Sequence, residues 1–210
     1  MIIEVDVRKF NVEKQAEPWL CWAASARAIA LYHGLAAPDQ QGLGAMFPDK
    51  TQGASPKMVL ESKFGMKEHV LWQEDRHAVD DAVNRSREQD LRDNLRYHLS
   101  AKSGPFLCGI TEQQDTAWPL TGRSKPYTYR HATLLHRFNT DTDEVGIADP
   151  ARSDERGRTI TVGIPELIRG FRYIEKADLG PNAASLLPAA IGDISVRAYR
   201  LSWFEVQKTP

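Results

Sequence analysis

Gln15, Cys21, His131 and Asp149 bring an amide, a thiol, an imidazole and a carboxylate into one chain, a set that can break an acyl bond. A thiol attacks a carbonyl well only as the thiolate, so its pKa must be lowered. Cys21 stands in "PWLCWAASARAIALYHG", at the start of an alanine-rich helical pattern. There, unpaired backbone N–H groups and the helix dipole favour negative charge. An imidazole must pair with the sulfur and later protonate the leaving group, and a third group should orient that imidazole through its other nitrogen. His131 begins "HATLLHRF" and Asp149 ends "EVGIAD", just before Pro150. If the turn "NTDTD" centres near Thr140–Asp141, the two residues lie at the same end of an antiparallel hairpin. The sequence leaves that register open, and a shift of one or two residues would weaken the pairing. His136 competes for the role of base, but five residues on it points to the opposite strand face and sits nearer the turn. The side-chain amide of Gln15 can complete an oxyanion hole with the backbone N–H of Cys21.

The elements that must carry these residues divide the chain into a helical front and a β-rich back. The cysteine segment has Pro18 near its start and Gly34 where a left-handed C-terminal residue belongs, and it is apolar on most faces. "SPKMVLESKFG" predicts a short helix capped by Ser55, entered at Pro56 and ended by Gly65. A third helix is expected over about Ala78 to Ala101, with Val79, Val83, Leu91, Leu95 and Leu99 on one face. "PFLCGI" then predicts a short strand, followed by a Gly-, Pro- and Ser-rich loop up to Tyr129 and the histidine–aspartate hairpin. "RTITVGI" is a further strand, "PELIRGF" a helical turn, 180–193 a connector, and "ISVRAYRLSWFEV" a strand pair or one long strand. One α+β domain is the simplest organisation.

Composition narrows the partners. The chain has 210 residues, 41% hydrophobic and 26% charged, with a formal net charge of −1. Nothing in that balance points to nucleic acid or to an anionic membrane surface. No apolar run approaches the ~20 residues that span a bilayer, and "MIIEVDVRKF" lacks the pattern of a signal peptide. The expected location is the cytoplasm, or outside it by a route without a cleaved signal. Two cysteines cannot form a disulfide framework, and no Cys/His spacing suits zinc. His69, Glu74, Asp75 and His77 read as surface residues and 152–158 as a solvated loop, so no metal or cofactor is expected. Cys108 and Trp22 read as packing residues, and Trp118 as a candidate wall of the substrate cleft.

"QAEPWLCWAAS", followed far downstream by "HATLL" and then "IADP", resembles the papain-like cysteine peptidases. The likeness is closest to the compact bacterial branches that include staphopain-type enzymes and AvrRpt2-type effector proteases, and it spans most of residues 15 to 175. It implies a papain-like fold over 1–210. A helical part of about 12–103 would carry the cysteine helix, and a β-rich part of about 104–210 would carry His131 and Asp149, with the cleft between them. The implied activity is hydrolysis of a protein or peptide substrate through a thioester, with Cys21 as nucleophile, His131 as acid and base, Asp149 as its orienter and Gln15 in the oxyanion hole. No propeptide precedes Gln15, unlike in plant and lysosomal relatives, so an exported toxin or effector would call for an inhibitor or immunity protein in its producer. The same residues would also serve an acyltransferase or a glutamine deamidase. A binding module with a dead site is the alternative outside enzymology, and the presence of all four residues argues against it.

Overall fold

The computed structural model describes residues 1–17, 19–47, 55–73, 81–114, 127–151, 159–169, 171–173 and 194–207. The expectations placed on Pro18, Glu74, Asp75, His77, Trp118, 152–158 and 180–193 lie outside the described residues. In chain order the elements are β1 (Ile2–Glu4), α1 (Cys21–Tyr32), α2 (Gln40–Met46), α3 (Pro56–Phe64), β2 (Met66–Gln73), α4 (Asp81–Ser100) and β3 (Phe106–Gln114). They continue with β4 (Tyr127–Asn139), β5 (Glu144–Ala148), β6 (Thr159–Gly163), α5 (Ile164–Arg169), β7 (Phe171–Tyr173) and β8 (Ile194–Val206). Among the described residues the strands form one antiparallel sheet in the order β2-β8-β3-β4-β5-β6, with β1 added to β4 and β7 to β8. The chain is therefore α+β.

Local chemistry accounts for most of these boundaries. Pro56 enters α3, and Gly65 leaves it with φ +61°, a left-handed geometry that glycine adopts without strain. Leu91, Leu95 and Leu99 recur every four residues along α4 and are all buried. The apolar run that opens β3 is buried on both faces, and its alternate residues enter different cores. Leu107 packs with Leu20, Trp22, Ile29, Ala132 and Leu134 on the side of α1 and α3. Phe106, Cys108 and Ile110 pack with Leu91, Leu95, Leu135 and Leu167 on the side of α4 and α5. Strands covered on both faces read as continuous apolar runs, which explains "FLCGI".

Four elements depart from the expected plan. The front is not wholly helical, because β1 and β2 join the sheet. A register shift between Val70 and Trp72 interrupts β2, and Val70 is exposed while the Glu68 carboxylate is buried. Burial opposes the charge on Glu68, but Arg200, Ser202 and Lys57 bond to it and hold its carboxyl below the usual range. The short α2 contains Gly42 and Gly44, poor helix formers, and depends on Asp39 accepting the Gly42 N–H at 2.7 Å. Finally, β4 begins at Tyr127, so His131 lies inside a strand rather than at its start, while "ISVRAYRLSWFEV" takes the second of its two expected forms, one long strand.

The hairpin of β4 and β5 contains the feature that matters most for the site. Asn139 pairs with Glu144 across a four-residue tip in which Asp143 takes φ +58°. Further from the tip, Leu135 pairs with Ile147 and Arg137 with Gly146, so His136 is an extra residue on β4, a β-bulge. The residue after β1 braces it: Val5 donates its N–H to the His136 carbonyl at 3.0 Å. The imidazole stacks on Phe10 with ring centroids 4.9 Å apart and its Nε2 is hydrogen-bonded to Thr159 at 3.0 Å. Burial, with a smaller contribution from the Arg137 charge, pushes His136 down to about 4.

That depression has a sign. The unfolded chain takes up a proton near pH 6.5 and the folded chain does not, so stability falls as the pH drops between those values. We expect His136→Gln to lose about 1–2 kcal/mol less than the parent on going from pH 7 to pH 5. Urea melts at the two pH values measure it, and equal losses in both proteins would refute the assignment.

Candidate active site

Cys21 is the first residue of α1, preceded by Leu20, which supplies no capping side chain, and no acidic residue lies in the first turn. The N–H groups and dipole of a helix start favour negative charge, and Cys21 places its sulfur in that first turn. Small side chains bring this helix close to the sheet: Ala23, Ala24, Ala26, Ala28 and Ala30 are all buried. One turn after Cys21, the buried Ser25 hydroxyl donates to the Ala132 carbonyl of β4 at 3.1 Å. The bond fixes α1 against the residue next to His131.

His131 is 3% exposed and Asp149 6% exposed. The imidazole Nε2 lies 2.6 Å from Asp149 Oδ1, and the same oxygen accepts the Ala151 N–H at 2.8 Å. The second bond holds the carboxylate from behind while Pro150 turns the chain. With Nε2 on the carboxylate, Nδ1 is the ring nitrogen left for the sulfur. Burial by itself would lower the pKa of His131. Hydrogen bonds and charge from Asp149 and Cys21 more than reverse that and hold it well above the ordinary imidazole value. The attraction is mutual, since a sulfur that favours imidazolium is itself favoured as thiolate beside it.

The four residues singled out by sequence fall as follows. The structure brings His131 and Asp149 into direct contact and sets Cys21 against the same imidazole. Gln15 is tied to this group through its backbone, its N–H donating at 2.8 Å to the carbonyl of Pro150, next to Asp149. Its side chain is half-buried, and Oε1 has no hydrogen-bond partner among the described residues. His136 stands apart at the bulge, bonded to Thr159. Cys108 is fully buried, and burial pushes its thiol up to about 12; neither it nor Cys21 is in a disulfide. Trp22 is buried and packs edge-on against Phe47. His69 stacks on Trp203 and bonds to Glu205. Among the described residues, no cluster of three or more His, Cys, Asp or Glu could hold a metal ion.

Three residues near the site escaped sequence reasoning. Ser25 could have been noticed as a hydroxyl four residues after the cysteine in an otherwise apolar helix. Gln40 is a buried amide at the start of α2, with no local signal. Tyr199 lies across β3 at Gly109, where a Cβ would come within 2.6 Å of its ring, and the Arg130 guanidinium stands 5.2 Å from the ring centroid. Only glycine admits that approach. Burial pushes the phenol up, Arg130 opposes this, and Cys108 and Cys21 both act on it.

The imidazole makes the geometry testable without any substrate. Asp149→Asn should lower the His131 pKa by about 1–3 pH units, because one of its two anionic neighbours is lost. An NMR titration of the ring measures this, and an unchanged value would show that the carboxylate does not control the imidazole. No protein-family model matches the chain, and no curated protein matches it.

Proposed function

We propose that this chain is a cysteine peptidase of papain-like fold that cleaves a protein or peptide substrate. The observation that supports the reading is the buried His131 imidazole, held at Nε2 by Asp149, with its pKa raised first by Asp149 and then by Cys21. The Cys21 thiolate attacks the scissile carbonyl carbon, and the carbonyl electrons move to oxygen. That oxyanion receives hydrogen bonds from the Cys21 backbone N–H at the start of α1 and from the Gln15 amide. His131 passes its Nδ1 proton to the departing amine, the C–N bond breaks, and a thioester remains. Neutral His131 then takes a proton from water as its oxygen attacks the thioester. The second oxyanion collapses, the acid product leaves, and the thiolate–imidazolium pair is restored. Asp149 keeps the ring in one tautomer throughout and stabilises its cationic form.

Incubation with a diverse peptide mixture, read by mass spectrometry, tests the reading. New N-termini are expected from the parent protein and none from Cys21→Ala, whose fold should be intact by circular dichroism. Persistent cleavage in that variant would overturn the assignment. Ammonia release without new N-termini would instead identify a deamidase, and transfer to an added amine an acyltransferase.

The pH dependence follows from the pair. The acid limb of kcat/KM reports formation of the thiolate. The alkaline limb reports loss of the imidazolium proton and should lie well above pH 6.5, because the His131 pKa is raised. Iodoacetamide should label Cys21 rapidly at pH 6 and leave Cys108, whose thiol sits at about 12, unmodified in the native protein. Preferential labelling of Cys108 would contradict both statements.

A further inference from the structure

We infer that Gln40 is a positioning residue that holds the Gln15 arm of the oxyanion hole in place, an inference that rests on the peptidase reading above. Gln40 opens α2 and is 5% exposed. Its Nε2 donates to the Lys14 carbonyl at 2.8 Å, and its Oε1 accepts the Ala16 N–H at 2.8 Å. These two bonds fall on the residues either side of Gln15. A carboxamide carries a donor and an acceptor side by side, as a neighbouring strand would, so one side chain can grip an extended backbone at two points.

The grip is part of a larger frame. Gln40 Nε2 also lies 3.5 Å from Glu13 Oε2, and Glu13 pairs with Arg27, which projects from α1. The Arg27 Nε donates in turn to the Pro38 carbonyl at 2.9 Å, two residues ahead of Gln40. The backbone N–H of Gln15 itself is bonded to Pro150. Residues 13–16 are therefore fastened to the cysteine helix through Arg27, to α2 through Gln40 and to the Asp149 turn through Pro150. The backbone of Gln15 is thereby held on both sides. An oxyanion donor needs this, because its value depends on being aimed beforehand at where charge develops. Gln40 reaches neither substrate nor sulfur in this scheme; it acts through Gln15.

The test is a double-mutant cycle on thiol-dependent hydrolysis of a p-nitrophenyl ester of an acylated amino acid. Gln40→Glu keeps the size and the acceptor for Ala16 but turns the donor facing Lys14 into a repelling acceptor. Gln40→Ala removes both bonds. Either change should lower kcat by about 10- to 100-fold with little effect on KM, since the oxyanion exists only beyond the ground state. In a Gln15→Ala background the same changes should cost less than about 2-fold, because the donor they position is already gone. The iodoacetamide labelling rate of Cys21 against pH should not move, as alkylation develops no oxyanion. A full 10-fold or greater loss from Gln40→Glu in the Gln15→Ala background would overturn the inference, as would a loss of Cys21 labelling in parallel with turnover. An unsubstituted protein that hydrolyses neither ester nor peptide would reject the peptidase reading itself, so the two failures are distinct.

Discussion

The contact between His131 and Asp149 depends on the phase of a hairpin, and one extra residue sets that phase. Strand side chains alternate between two faces, so a slip of a single residue moves a group from one side of the sheet to the other. Near the tip, Arg137, Phe138 and Asn139 face Gly146, Val145 and Glu144. Carried on unchanged, that register would set Ala148 opposite Leu135. The bulge at His136 shifts it by one, so that Leu134 faces Ala148, the last pair of the ladder, and Asp149 follows one residue on. There the Asp149 carboxylate meets the His131 imidazole at 2.6 Å. His136, a rival base by residue type, contributes through its backbone position.

The surroundings reinforce that phase. The N-terminal segment adds β1 to the edge of β4 that β3 leaves, satisfies the carbonyl of the bulged residue and lays Phe10 on its ring. Ala151 donates to the same carboxylate oxygen that holds the histidine. A buried imidazole would ordinarily stay neutral, as His136 does in this same strand, with its value near 4. His131, more deeply buried still, goes the other way because two groups that bear negative charge flank it. Within one strand, partners rather than burial decide which histidine carries a proton.

The cysteine and glutamine segments are fitted to this hairpin from outside. Ser25 joins α1 to β4 beside His131, and alanines along the helix permit the close approach. The loop bearing Gln15 is gripped by Gln40 and bonded to Pro150, so it follows both α2 and the aspartate turn. Each component of the site is thus bonded to at least one other through backbone or side chain. Such coupling is what preorganisation of a reactive centre requires.

Much of this was legible in the residues themselves. The cysteine at a helix start, the proline entry and glycine exit of α3, the leucines of α4, and a hairpin between His131 and Asp149 all follow from short-range propensity and periodicity, which act within a few residues. The short-range signals failed where they were weak or irregular: in β2, which a register shift interrupts, in α2 with its two glycines, and in β1, three residues long. The sequence by itself determined which chemical groups are available, their order, and which sit at element ends. The tertiary structure alone decided the bulge at His136, the burial of Gln40 and the passage of Tyr199 over Gly109. Each of these depends on strands or helices distant in sequence, and a residue's neighbours along the chain carry no record of the register or packing that a remote partner imposes.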